Sequence, residues 1–163
     1  MPRSPMDQIR HIARQTRRWA LRHRHKVWAD ATLCGMCAIA SAELHKRLTA
    51  AGFSAAIAFR NTADEGHAFV ICDELIVDVT ATQFGWITRR GADLRYTRER
   101  RCRAVEIVPL SDKASRPLFW QETAIYDSLD ALVLRQKQSG WPPDQIAWKQ
   151  LPRTRRTDRV VRT

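Results

Sequence analysis

The segment GHAFVICDELIVDVT, residues 66–80, contains two apolar runs separated by a pair of acidic residues. Runs rich in valine, isoleucine and phenylalanine that are bounded by polar residues are typical of β-strands. The pattern predicts strands over residues 67–72 and 75–80, joined by a two-residue turn at Asp73 and Glu74. An antiparallel hairpin is therefore the centre of the predicted sheet.

The predicted turn also determines which side chains face each other across the hairpin. A two-residue turn places Phe69 opposite Asp78 and His67 opposite Thr80. His67 then lies diagonal to Asp78 on one face of the sheet, with Cβ atoms about 7 Å apart, which an imidazole and a carboxylate can bridge. A turn one residue longer would put these two side chains on opposite faces.

A helix precedes the hairpin in the chain. Residues 37–51 carry small and apolar side chains at helical spacing, and Gly52 supplies a stop. Cys37 falls in the first turn of this helix, on its apolar side. We expect the helix to cover the sheet face that carries His67 and Asp78.

The remaining apolar segments complete the predicted α+β fold, a helix packed on a small antiparallel sheet. Residues 55–60 and 104–110 predict two further strands, and residues 117–138 predict a second long helix. The length of 163 residues fits one folded unit.

The two ends of the chain carry its charge. The net charge is +11, yet residues 30–150 have equal numbers of basic and acidic residues. Residues 1–29 have eight basic residues and one acidic residue, and residues 151–163 have five and one. We predict a basic helical arm over residues 1–29, a folded domain over residues 30–150 and a basic disordered tail over residues 151–163.

Positive charge also clusters within the predicted domain. The residues concerned are Arg95, Arg98, Arg100 and Arg101. Such clusters bind phosphates or acidic partners, so they predict a binding surface of that kind. The basic ends likewise predict nucleic acid as a partner.

The sequence also predicts where the protein acts. The first residues lack the charged start and apolar block of an export signal, and no apolar run is long enough to span a membrane. Four cysteines in a chain of this length favour free thiols in a reducing compartment. We expect a cytoplasmic protein, or one delivered by a dedicated injection system. The sequence does not determine its oligomeric state.

The paired cysteines of the segment Cys34-Gly-Met-Cys37 have three chemical interpretations. Structural zinc requires a second close pair of ligands, but Cys72 and Cys102 stand singly, so no metal is predicted. A redox pair at a helix start resembles the thioredoxin site, but that fold needs a strand running into the motif. The third interpretation is a nucleophile, which needs a histidine base and an acid that orients it. The hairpin supplies His67 and Asp78.

Three segments together resemble the transglutaminase-like branch of the papain-like cysteine peptidase superfamily. They are residues 34–41, residues 66–70 and residues 77–84, reading CGMCAIAS, GHAFV and VDVTATQF. The resemblance implies a transglutaminase-like catalytic domain with Cys37 as nucleophile, without a cofactor. It also implies His67 as general base and acid and Asp78 as its orienting acid.

The chain departs from papain-type enzymes at two positions. Ala31 stands where those enzymes have an oxyanion glutamine, and Ala38 replaces the tryptophan that follows their nucleophile. Backbone amides near Cys37 would then hold the oxyanion, with Gln83 as a second donor or as structural support.

The resemblance implies a hydrolase or acyl transferase that acts on amide or related acyl bonds of a protein or peptide. Peptidase, amidase, deamidase and transglutaminase chemistry all fit such a triad. The first alternative is a catalytically inactive nucleic-acid-binding or assembly protein that uses its basic termini. The second is a thiol-redox protein that uses the paired cysteines.

Overall fold

A five-stranded antiparallel sheet forms the centre of the computed structural model, which describes residues 3–24, 33, 35–61, 66–84, 96 and 104–140. The strands are β1 (Ala55–Asn61), β2 (Gly66–Cys72), β3 (Leu75–Asp78), β4 (Glu106–Pro109) and β5 (Thr123–Tyr126). Their order across the sheet is β4-β3-β2-β1-β5. The predicted α+β class and antiparallel sheet are confirmed.

Helices flank this sheet in chain order. They are α1 (Pro5–His23), α2 (Cys37–Ala50), α3 (Pro117–Gln121) and α4 (Leu129–Gln138), with 3₁₀ turns over Ala81–Phe84 and Leu110–Ser115. In the described part of the chain, no helix is long and apolar enough to cross a membrane.

The hairpin of β2 and β3 has the predicted register. Val70 pairs with Val77 and Cys72 pairs with Leu75, as a two-residue turn requires. Asp73, the first turn residue, has a φ of 50°, which is the left-handed region that tight hairpin turns use. The register therefore carries Asp78 to the same end of the sheet as His67.

The sheet separates two apolar layers. Val70 and Val77 belong to the layer that packs against α1 and α2, whereas Phe69 and Ile76 belong to the layer on the opposite face. Successive residues of a strand point to opposite faces. The two layers therefore share β2 and β3 and are filled by alternate residues.

The prediction that α2 covers the sheet face of His67 and Asp78 is wrong. His67 alternates with Ala68 and stacks on Phe69, with ring centroids 5.8 Å apart, so it belongs to the face away from α2. The helix packs instead on the other face, where Ala68 is one of several apolar β2 residues. Cys37 meets His67 at the end of the sheet rather than across its face.

The predicted long helix over residues 117–138 is also wrong. The chain forms the short helix α3, then the edge strand β5, and only then α4. β5 pairs with β1, with Ile57 opposite Tyr126. The β-branched and aromatic residues of this stretch favour a strand. As a strand, the stretch also supplies hydrogen-bond partners to the backbone groups at the edge of β1. Helical spacing within the stretch carries no information about that distant edge.

The N-terminal helix α1 belongs to the same apolar core as α2. Ser4 caps it by accepting a hydrogen bond from the Asp7 N–H at 3.1 Å. Its buried residues Ile9, Ala13 and Ala20 join the layer that α2 covers. The predicted boundary at residue 29 and the predicted tail lie outside the described residues.

Candidate active site

The ends of two neighbouring strands bring the candidate acid and base together. His67 is the second residue of β2, and Asp78 is the last residue of β3. Because the strands are antiparallel, these positions lie at the same end of the sheet. The hairpin register, and hence the two-residue turn, therefore determines the geometry of the pair.

His67 and Asp78 form a buried hydrogen-bonded pair. The His67 Nε2 atom lies 2.8 Å from the Asp78 Oδ2 atom, and the two side chains are 0% and 1% exposed. The other oxygen of Asp78, Oδ1, accepts hydrogen bonds from the Thr80 N–H at 2.7 Å and from the Thr80 hydroxyl at 3.1 Å. The carboxylate is thus held in one orientation, and its partner nitrogen is the Nε2 atom.

Burial and charge oppose each other at this pair. Burial lowers the pKa of His67, but the charge and hydrogen bond of Asp78, together with a hydrogen bond to Cys37, outweigh it and raise the pKa to about 9. Burial raises the pKa of Asp78, but His67 and the hydrogen bonds from Thr80 outweigh it, so the net shift is downward. At neutral pH the pair is therefore an imidazolium beside a carboxylate.

A sharp turn leads into the helix that carries Cys37. Leu33 has a φ of 64° and Gly35 a φ of 81°, and the Met36 N–H donates a hydrogen bond to the Leu33 carbonyl at 3.0 Å. A left-handed conformation is uncommon for leucine and stores strain, a feature that clusters at functional sites. Buried Leu33 stays in this conformation because the core holds its side chain.

Cys37 is the first residue of α2 and reaches His67 around the start of β2. Its thiol is free and 9% exposed, and it packs with Phe59 and Ala68. The side chains of Cys37 and His67 are hydrogen-bonded. The N-cap residue Met36 makes no side-chain cap hydrogen bond, and the first N–H groups of a helix stabilise negative charge placed near them. The structure thus brings all three predicted triad residues together.

Gln83 lies within the same network. Its Nε2 atom is 3.0 Å from the Nδ1 atom of His67 and 3.2 Å from the Thr80 hydroxyl oxygen. Because the Asp78 carboxylate only accepts, the Nε2 atom of His67 carries a proton in both charge states of the ring. The Nδ1 atom accepts from the Gln83 amide N–H when the ring is neutral, and it donates to the amide oxygen when the ring is an imidazolium. Gln83 therefore fixes the plane of the ring from the side opposite Asp78.

Arg17 of α1 is a supporting residue that the sequence analysis missed. Its Nη1 atom donates to the carbonyl oxygen of Val79 at 2.7 Å, one residue after Asp78. Burial lowers the pKa of Arg17, and the charge of Asp78 partly opposes this shift. The sequence holds no signal for this role, because Arg17 is one of several arginines on the same helix.

Several other residues that the sequence analysis singled out are not among those the structure describes. Arg95, Arg98, Arg100 and Arg101 lie outside the described residues, as do Ala31 and the two cysteines Cys34 and Cys102. Tyr96 is described and buried, and its ring stacks on His67 with centroids 6.2 Å apart. Within the described ranges, no group of three or more histidine, cysteine or acidic residues could hold a metal ion.

Comparisons of this chain with protein-family models, curated proteins and solved structures found no match.

Proposed function

We propose that this chain is a cysteine-dependent hydrolase or acyl transferase that acts on amide or related acyl bonds through a thioester. The observation that carries the proposal is the hydrogen-bonded sequence of side chains from Cys37 through His67 to Asp78. A nucleophile, a base and an orienting acid in this order define a catalytic triad by their roles. The class we favour is the transglutaminase-like branch of the papain-like superfamily, which the same residues resemble.

The triad accounts for acylation of the enzyme. The Cys37 Sγ atom, as thiolate, attacks the carbonyl carbon of the substrate and forms a C–S bond. The imidazolium of His67 donates its Nδ1 proton to the leaving nitrogen, the C–N bond breaks, and the amine departs. Asp78 stays ionised and accepts the hydrogen bond from Nε2 throughout, so Nδ1 is the nitrogen that exchanges the proton on the side of the ring where Gln83 lies.

Deacylation reverses the roles of the same groups. The neutral imidazole of His67 takes a proton at Nδ1 from water or from an acceptor amine, which then attacks the thioester carbonyl. The C–S bond breaks, and the thiolate of Cys37 returns beside the imidazolium. Water gives a carboxylic acid and an amine gives a new amide, so one site supports both hydrolysis and transfer.

The negative charge of the tetrahedral intermediate falls near the start of α2. The backbone N–H of Cys37 and the helix N-terminus are the donors that we assign to the oxyanion. Gln83 is committed to His67 and Thr80 in the resting site, which favours structural support over an oxyanion role.

Product analysis tests the proposal. The full chain is incubated with unfolded protein substrates and a fluorescent primary amine, and three products are measured: new peptide N-termini, released ammonia and amine-labelled substrate. We expect at least one product with the wild-type chain and with Cys72→Ala, and none with Cys37→Ala. Acid quenching should trap an acyl adduct on Cys37, visible by mass spectrometry. A product that persists in Cys37→Ala would refute the assignment.

A further inference from the structure

A groove of about 510 Å³ lies between α1 and the edge strand β4, and neither Cys37 nor His67 lines it. One wall consists of arginines of α1, namely Arg10, Arg14, Arg17 and Arg18. The other wall consists of five consecutive residues, 104–108. Consecutive residues of a strand point to alternate faces, so a wall that contains all of them is the edge of the strand rather than one of its faces.

The hydrogen-bond register shows that this edge presents backbone groups. β4 is the last strand in the sheet order, and the Leu110 N–H donates to the Glu74 carbonyl at 2.8 Å. In an antiparallel pair, hydrogen-bonded positions alternate, so Val108 also bonds toward β3, whereas Ile107 directs its N–H and C=O outward. Pro109 occupies the next outward position, where an edge strand tolerates a residue without an N–H.

The exposed arginines of the groove are spaced along α1 at nearly the distance that separates alternate residues of an extended strand. Arg10 is paired with Asp7 at 2.9 Å, and Arg17 is bonded to the backbone. Arg14 and Arg18 are exposed and have no carboxylate partner among the described residues. Positions four residues apart on a helix are about 6 Å apart along its axis, and alternate residues of a strand are about 6.8 Å apart.

We infer that this groove binds an acidic peptide segment in an extended conformation. The segment adds to the sheet beside β4, exchanges backbone hydrogen bonds with Ile107, and places carboxylates of alternate residues on Arg14 and Arg18. Strand addition satisfies the outward backbone groups, and the carboxylates satisfy the guanidinium groups.

Two other occupants fit the groove less well. A nucleic acid strand would satisfy the arginines but would leave the outward N–H and C=O of Ile107 without partners. A second copy of the chain would bring the same arginines against each other, and like charges oppose such a contact. An acidic strand meets both requirements of the groove.

Fluorescence anisotropy with the full chain tests the inference independently of catalysis. The probe is a labelled peptide of alternating glutamate and valine. We expect saturable binding that weakens with salt, and Arg14→Glu with Arg18→Glu should weaken it by at least about tenfold, since both attractive contacts are replaced by repulsive ones. The matched control, Arg3→Glu with Arg22→Glu, makes the same charge change outside the groove and should change the affinity less than about twofold.

Peptide backbone chemistry separates strand addition from charge attraction alone. The same peptide with its central amides N-methylated keeps its charge but cannot exchange backbone hydrogen bonds, and we expect it to lose most of its affinity. Equal binding of both peptides, equal weakening by the two double variants, or binding of single-stranded DNA but not of the acidic peptide through Arg14 and Arg18 would each overturn the inference. Self-association that Arg14→Glu with Arg18→Glu abolishes, without peptide binding, would assign the groove to a second copy instead.

Discussion

The two ends of strand β2 have opposite chemistry although both are buried. At its start, the partners of His67 are an acid, an amide and a thiol, and the hydroxyl of Thr80 holds the acid. At its end, Cys72 is fully buried in the apolar layer under α1 and α2. Burial, with a smaller effect from the charge of Asp73, raises the pKa of Cys72 to about 11. The thiol at the apolar end of β2 is thus kept protonated, whereas the thiol at the polar end lies beside a charged pair.

The largest expected effect is a difference in reactivity between Cys37 and Cys72. A limiting dose of iodoacetamide at pH 6 should label Cys37 at least about a thousandfold faster, because the pKa of Cys72 is raised to about 11 in its apolar site, whereas Cys37 lies at a helix start beside His67. Peptide mapping by mass spectrometry measures both rates in the same sample. Cys34 and Cys102 should also react more slowly than Cys37.

Variants of the triad show whether this difference depends on the network. His67→Ala should remove most of the advantage of Cys37, and Asp78→Ala should remove less of it, because Asp78 acts on the thiol only through the imidazole. Preferential labelling of Cys34, or a Cys37 rate that does not respond to His67→Ala, would mean that the triad is not assembled. The nucleic-acid-binding alternative would then take its place.

Breaking the polar end of β2 should destabilise the fold. Asp78→Ala leaves His67 buried without its partner, and removal of one member of a buried pair costs about 3–5 kcal/mol. Urea unfolding measures the change. The matched control is Arg10→Ala, which removes one member of the exposed ion pair between Arg10 and Asp7, 2.9 Å long, and should cost less than about 1 kcal/mol. Similar costs for the two variants would contradict the buried pair.

The same pair predicts how stability depends on pH. The folded pKa of His67 is raised to about 9, above the ordinary value of about 6.5. Its contribution is therefore fully present below about pH 6.5 and is lost as the pH rises through 9. The free energy of unfolding should fall by roughly 2–3 kcal/mol between pH 6.5 and pH 9.

A substitution at His67 provides the control for this pH profile. His67→Gln should show little of the fall, because glutamine does not titrate. Asp78 has a lowered folded pKa, so its contribution is present above its ordinary value near 4 and is lost as the pH falls through the folded pKa. A wild-type profile that is flat up to pH 9 would show that the pair is not charged.

The hairpin could be predicted from sequence because its information is local. The turn residues Asp73 and Glu74 lie between two apolar runs, and they determine the register that joins His67 to Asp78. Cys37 could be placed at a helix start for the same reason, since Gly52 and the apolar spacing define that helix. These three side chains meet because each stands at the end of a regular element.

The errors came from contacts between elements that are distant in the sequence. Local periodicity gave residues 117–138 as one helix, but the unpaired edge of β1 recruits Thr123–Tyr126 as a strand. The face covered by α2 was also predicted wrongly, because alternation in β2 specifies two faces without specifying which one a helix covers. Arg17 was missed because its partner is a backbone carbonyl, and no residue type marks a carbonyl in the sequence.

The smallest expected effect concerns Gln83, which touches the network only from the Nδ1 side. Gln83→Ala removes one hydrogen bond to His67 and one to Thr80, so we expect a loss of about 1 kcal/mol in stability and a few-fold slower labelling of Cys37. Gln83→Glu tests the direction of the effect, because a carboxylate accepts a hydrogen bond from the imidazolium, stabilises its charge and should shift the pH profile of labelling upward. The control is Gln121→Ala, an exposed glutamine at the end of α3, which should change neither quantity. Loss of all products in Gln83→Ala, with the labelling of Cys37 unchanged, would instead give Gln83 a role at the oxyanion, since labelling by iodoacetamide forms no tetrahedral intermediate.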